Sequence, residues 1–120
     1  TQTALYKSTD QRNRLMTTFS FKGGVSGFTG FSAEGHSSAD CDDEEGKTVC
    51  SAVSSALYLT ANTLTEVFSA ECDIDISDAY FTLMLKAPDK AASKLIKGLY
   101  LHIEQLQQQY PERIRIITEV

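Results

Sequence analysis

The hydrophobic period of this chain switches repeatedly between that of a strand and that of a helix, and the order of the switches leaves few folds open. Leu15, Thr17, Phe19 and Phe21 alternate with Met16, Thr18 and Ser20, the spacing of a strand with one buried face. Lys22-Gly23-Gly24 then predicts a turn, and Thr29 to Glu34 the returning strand of a hairpin that ends at Gly35-His36. Beyond Thr48 the spacing lengthens. Val49, Val53, Ala56, Leu57, Thr60, Ala61, Leu64, Val67 and Phe68 recur at helical intervals, which lines them along one face of an amphipathic helix from about Thr48 to Ala70.

Cys72, Ile74 and Ile76 alternate with acids up to Ser77-Asp78-Ala79, and the apolar run Tyr80 to Lys86 follows, so this pair reads as a second hairpin. Pro88-Asp89 opens another helix, because proline suits a first turn and a carboxylate complements the positive end of the helix dipole. Leu95, Leu99, Ile103 and Leu106 supply its buried stripe, and Pro111 stops it. Ile114, Ile116 and Thr118 alternate in a last strand. The predicted fold is therefore α+β, a two-layer sandwich in the order β-β-α-β-β-α-β, with two helices packed on one face of a mostly antiparallel or mixed sheet. On this reading residues 15–120 form a single domain. Residues 1–14, whose apolar piece is Ala4-Leu5-Tyr6, are an extension that adds an edge strand or stays loose.

A length of 120 residues fits one domain, and nothing approaches the ~18 unbroken apolar residues of a membrane-spanning helix. The net charge of -5 argues against a broad phosphate-binding surface, which needs concentrated Lys and Arg, and favours a basic partner over nucleic acid. The cysteines number three, an odd count, behind a start with no signal-peptide pattern. That combination points to a reducing compartment, with the cytoplasm as the expected location.

The run Asp40-Cys41-Asp42-Asp43-Glu44-Glu45-Gly46 concentrates charge that resists burial, which predicts a solvated, mobile loop. Cys50 follows in what this reading makes the first turn of the central helix, where unpaired backbone N–H groups and the positive dipole end favour a thiolate. It is the candidate nucleophile. His36 ends a strand just before the loop, so a base held by the sheet can meet a thiol on the helix, and such a pair needs no third residue. Backbone N–H groups around Cys50 would then bind a tetrahedral oxyanion. Composition leaves a plainer alternative open, since a helical cysteine is more often a small buried hydrophobe. Cys72 reads as packing, Cys41 as a poor nucleophile among carboxylates, and His102 as a surface residue. A metal set of His36, Cys41 and Cys50 with Asp40 or Asp42 lacks the paired spacing of structural zinc sites, so no metal and no cofactor are assigned.

The stretch Gly35-His36, an acidic glycine-containing loop and Gly46-Lys47-Thr48-Val49-Cys50-Ser51-Ala52-Val53-Ser54 resembles the signature of the ribosomal-processing cysteine protease family of bacteria. That signature is a Gly-His pair, a flexible loop and a Val-Cys-x-x-Val-Ser helix start, and the likeness extends over about residues 15–120. It implies a dyad of Cys50 and His36 that removes an N-terminal extension from a large-subunit ribosomal protein, with supporting roles for Gly35 and Ser54. It further implies a homodimer and an apolar pocket near Cys50. Two departures stand out. Lys47 occupies the place, three residues before the cysteine, where the family usually has Asp, and the loop is longer by about two residues. Asp40, Asp42 or Asp43 then becomes the candidate to orient His36, or Lys47 itself helps to hold Cys50 as thiolate. The rival expectation is a non-catalytic ribosomal-protein-binding module of the same fold.

Overall fold

The computed structural model describes residues 16–24, 27–35 and 43–119. Five strands and two helices follow in the order β1 (Thr17–Gly24), β2 (Gly27–Glu34), α1 (Glu44–Asn62), β3 (Cys72–Ser77), β4 (Tyr80–Leu85), α2 (Lys90–Gln109) and β5 (Ile114–Glu119). The α+β order read from the sequence is thus the observed one. The expected extension 1–14, and with it Leu15, His36, Asp40, Cys41 and Asp42, lies outside the described residues.

The sheet runs β3-β4-β2-β1-β5. Its neighbours are antiparallel except β1 and β5, which are parallel. Register explains why one face is apolar throughout. Phe19 pairs with Ala33, and Phe21 with Phe31; Phe31 pairs in turn with Leu83, and Ala33 with Phe81; Ile114 lies beside Thr17 on the other flank. Because side chains alternate along a strand, all of these point to the same side. There they join Val49, Val53, Leu57 and Ala61 of α1 and Ala92, Ile96, Leu99, Ile103 and Leu106 of α2 in one buried cluster. Phe19, Phe21 and Phe31 are fully buried, and each contributes roughly 1.5–3 kcal/mol by leaving water.

The departures from the sequence reading have physical causes. The first strand does not turn at Lys22-Gly23-Gly24. It runs through Gly24, which pairs with Gly27, and a register shift after Lys22 absorbs the glycines. The central helix starts at Glu44, a full turn before Thr48, because Asp43 caps it, its Oδ1 accepting from Gly46 N–H at 3.0 Å, while Glu44 and Glu45 complement the dipole. The acidic run is therefore in part a helix start, and Asp43 is not a solvated loop residue.

The helix also ends early. Regular α-helix stops at Asn62, and a π-helical turn, Thr63–Val67, carries Phe68 N–H back to Thr63 O at 2.9 Å. Ser69, at φ 54, then takes the left-handed conformation of a helix C-cap, with Ala70 N–H reaching Leu64 O at 2.8 Å. The wider turn rotates Val67 and Phe68 off the buried stripe, and they are 71% and 41% exposed. On α2 Leu99, Ile103 and Leu106 are buried as expected, while at the first position of the stripe Ile96 is fully buried and Leu95 only flanks the core. No helix in the described residues is long and apolar enough to cross a membrane.

The start of α1 is tied to the far edge of the sheet. Arg113 Nη1 and Nη2 donate to Asp43 Oδ2 and Oδ1 at 2.7 and 2.8 Å, and Arg113 Nε reaches Glu45 Oε1 at 3.2 Å. The Gly46 N–H, with Arg113 beside it, holds the Asp43 carboxyl below the usual carboxylate range. A carboxyl lowered in the folded state adds stability above its unfolded value near 3.9, and that stability fades as pH falls through the folded value. Asp43→Asn should therefore lower the melting temperature at pH 7, and the gap from wild type should narrow below about pH 4. Scanning calorimetry across pH 2.5–7 checks this, and a gap that stays constant would separate the stability from ionisation of Asp43.

Candidate active site

Helical spacing places Cys50, Val53, Ser54, Leu57 and Tyr58 on one face of α1. That face fronts a cleft of about 160 Å³, lined also by Ile76, Ser77, Ala79, Tyr80 and Phe81 of the β3–β4 hairpin and by Thr17, Ala33 and Gly35. Cys50 is a half-buried free thiol. Val53 and Leu57 beneath it are buried in the core, so the helix face that carries the thiol is rigidly seated. The Tyr58 ring meets Phe81 edge-on at 5.6 Å and walls the apolar end.

Gly35 is fixed more tightly than a loop residue needs to be. Its N–H donates to Ala79 O at 2.8 Å, and its carbonyl accepts from Thr17 Oγ1 at 3.4 Å. Thr17 N–H in turn donates to Arg113 O at 2.9 Å. A line of hydrogen bonds thus runs from Asp43 through Arg113 and Thr17 to Gly35 and Ala79. It holds both flanks of segment 36–42, Gly35 on one side and Asp43 on the other. At φ +94 Gly35 occupies backbone space that only glycine enters easily, and a Cβ there would lie 2.5 Å from Met16 O.

Of the residues singled out in the sequence, the cleft brings together Cys50, Ser54 and Gly35. His36, Asp40 and Asp42 lie outside the described residues. Asp43 and Lys47 are not among the cleft walls. Both oxygens of Asp43 accept from Arg113, and Oδ1 also caps the helix. Lys47 Nζ stands 3.8 Å from Glu44 Oε1 in an exposed pair one turn before Cys50. Among the described residues no three His, Cys, Asp or Glu side chains gather as metal ligands. His102 is exposed on α2 and stands away from the cleft, in a separate groove between the two helices.

The early helix start alters the electrostatics expected at Cys50. It sits in the second turn, so its own N–H falls within the helical ladder and is not one of the unpaired groups of the first turn. Sequence reasoning also missed the hairpin wall. The signal was present, since a two-residue link between Ser77 and Tyr80 fixes which side chains sit at the hairpin end, but only the pairing of Tyr80 with Glu34 brings that end beside Gly35. Cys72 touches the core and its Sγ lies 3.7 Å from Ala70 O. Burial, with the negative charges of Asp73 and Asp89 behind it, pushes its thiol up.

A free thiol on a rigid helix, facing a cleft in an α+β sandwich, is the layout of a cysteine-protease-like site. Residues 16–115 match the family model for cysteine protease Prp, and the chain belongs to that family. Solved structures share the fold. The ribosomal processing protease Prp of S. aureus with a substrate peptide superimposes at a TM-score of 0.75 with 18% identity, covering 87% of this chain and 100% of that one. The same protease with a covalently linked product peptide gives 0.74 at 18% identity, over 87% and 100%. SMU.848 of Streptococcus mutans gives 0.67 at 19% identity, over 87% of this chain and 96% of that one. No curated relative matches the chain.

Gly35→Ala should destabilise the fold by about 1–3 kcal/mol through backbone strain alone, and urea titration measures it; a neutral effect would show that the segment relaxes freely. In a Cys41→Ala, Cys50→Ala background, iodoacetamide should modify Cys72 more slowly at pH 8 than a model thiol of pKa about 8.5. Mass spectrometry over time reads the rate, and labelling at the model rate would contradict its burial.

Proposed function

We propose that this chain is a cysteine endopeptidase, a single peptidase domain over residues 15–120, that removes an N-terminal extension from a large-subunit ribosomal protein. The observation that carries the reading is that Cys50 and Gly35, the residue directly before His36 in the sequence, line one cleft. Membership of the cysteine protease Prp family supports it, as does the likeness of fold to the S. aureus processing protease bound to peptides.

In this mechanism His36 takes the proton of the Cys50 thiol, and Sγ attacks the scissile carbonyl carbon to give a tetrahedral oxyanion. Collapse expels the new amine, which leaves with the proton from His36, and a thioester remains on Cys50. Water, deprotonated by His36, hydrolyses that ester and frees the thiol. The hydroxyls of Ser54 and Ser77, both in the cleft wall, take the donor role for the oxyanion that the backbone of the second helical turn is not free to take. The apolar walls Leu57, Tyr58 and Phe81 receive an aromatic side chain of the extension. The peptidase works without a cofactor, in the cytoplasm, as a homodimer.

The second reading is a binding module of the same fold that grips the extension without cutting it. It is favoured by Lys47, whose ammonium faces Glu44 where the family pattern has a carboxylate, and by the position of Cys50 one turn inside the helix.

Incubation with the same organism's large-subunit ribosomal protein bearing its extension separates the two. Wild type should release one discrete N-terminal peptide, seen by intact mass, while Cys50→Ala and His36→Ala retain the fold by circular dichroism and lose release by at least about a hundredfold. Cleavage by Cys50→Ala would overturn the nucleophile, and binding without cleavage by wild type would establish the module.

A further inference from the structure

The hairpin wall of the cleft continues outward as an open strand edge. Among the described residues β3 pairs only with β4, and it ends the sheet. Such an edge offers a row of backbone N–H and C=O groups to any extended chain. Ile74 and Ile76 lie on the helix-bearing side, opposite Leu83 and Phe81, yet they are 40% and 49% exposed, so neither helix covers them. Asp73 and Asp75 occupy the other face and are exposed. Segment 71–78, Glu-Cys-Asp-Ile-Asp-Ile-Ser-Asp, carries carboxylates at 71, 73, 75 and 78 and no Lys or Arg. Across the sheet, Lys86 approaches Asp73 only at 3.8 Å, with both side chains more than half exposed, a pair that solvent and salt largely screen.

The geometry points to β3 as the docking strand for the substrate of the proposed peptidase: an extended basic peptide, alternating apolar and cationic residues, adds to the sheet as a sixth strand and runs along β3 into the cleft. This rests on the peptidase reading for its destination, because Ile76 and Ser77 at the end of β3 are themselves cleft walls beside Cys50. At about 3.3 Å per residue the six residues of β3 guide about 20 Å of peptide. Its apolar side chains lie over Ile74 and Ile76, and its cationic ones alternate onto the face of Asp73 and Asp75. The same acids disfavour a second copy of this chain. Antiparallel pairing of two β3 strands with Ile74 against Ile74 sets Asp73 against Asp75, and with Ile74 against Ile76 it sets Asp75 against Asp75; like charges directly opposite are destabilising.

The test uses the 120-residue chain carrying Cys50→Ala, which makes binding independent of cleavage. The probes are fluorescein-labelled peptides: Leu-Lys repeated three times, its Leu-Glu counterpart, and two isomers of the Leu-Lys peptide N-methylated at the odd or at the even residues. Fluorescence anisotropy should show the Leu-Lys peptide binding at least about tenfold tighter than Leu-Glu. One N-methyl isomer should lose binding while the other keeps it, because only alternate N–H groups of an added strand face its neighbour. Asp73→Lys with Asp75→Lys should invert the charge preference, and Ile74→Lys with Ile76→Lys should abolish binding with the circular dichroism unchanged. Equal binding of both N-methyl isomers, or full binding by the isoleucine variant, overturns strand addition. A dimer in sedimentation that the isoleucine variant breaks gives the edge to a second copy and overturns it equally. Failure of the wild type to cleave the ribosomal protein would overturn the peptidase reading and leave the anisotropy result standing.

Discussion

The site depends first on the bidentate pair between Asp43 and Arg113. The aspartate is at once the cap of α1 and the partner of a guanidinium at the entry to β5. One carboxylate thereby decides where the helix begins and where that beginning sits against the sheet. Everything on the cleft face of α1 inherits its position from this, since Cys50, Val53 and Leu57 follow Asp43 at fixed helical angles. Arg113 also passes the constraint on through its backbone carbonyl to Thr17, and from there to Gly35. A planar fork of donors suits this task better than a lysine, whose single point charge would fix neither angle nor register.

Packing and polarity divide the work across the sheet. The helix-bearing face is lined by Phe19, Phe21, Phe31, Phe81 and Leu83 in adjoining register, and it supplies the cohesion that lets the cleft walls stay put. At its margin the cover runs out. The π-helical turn after Asn62 swings Val67 and Phe68 outward, and β3 is left with its isoleucines half in water. Ile76 at this margin is also a wall of the cleft.

Much of this was legible in the chain itself. The period switches give the element order, and Gly35 and Cys50 do share one cleft. What was not legible has a common cause: it depends on partners distant in sequence. Asp43 and Arg113 are 70 residues apart, and no local spacing announces such a pair, so the acidic run reads as a solvated loop. With hindsight Asp43-Glu44-Glu45 is also a helix-start signature, a capping aspartate followed by acids in the first turn. The displacement from Leu95 to Ile96 arises because neighbouring apolar residues on a helix compete for the same face, and only the opposing surface chooses between them. The π-helical turn gives no periodic warning, since a single wide turn looks like the end of a stripe.

The distance between Asp43 and Arg113 also has a temporal meaning. During synthesis the thiol-bearing helix leaves the ribosome long before the arginine that anchors its cap. At roughly 5–20 residues per second, the 70 residues between them correspond to an interval of several seconds in which α1 has no fixed seat. The cleft is then unassembled, and Cys50 is held by nothing that would aim it. Placing the anchor at the entry to β5 defers assembly of the cleft until the sheet is complete.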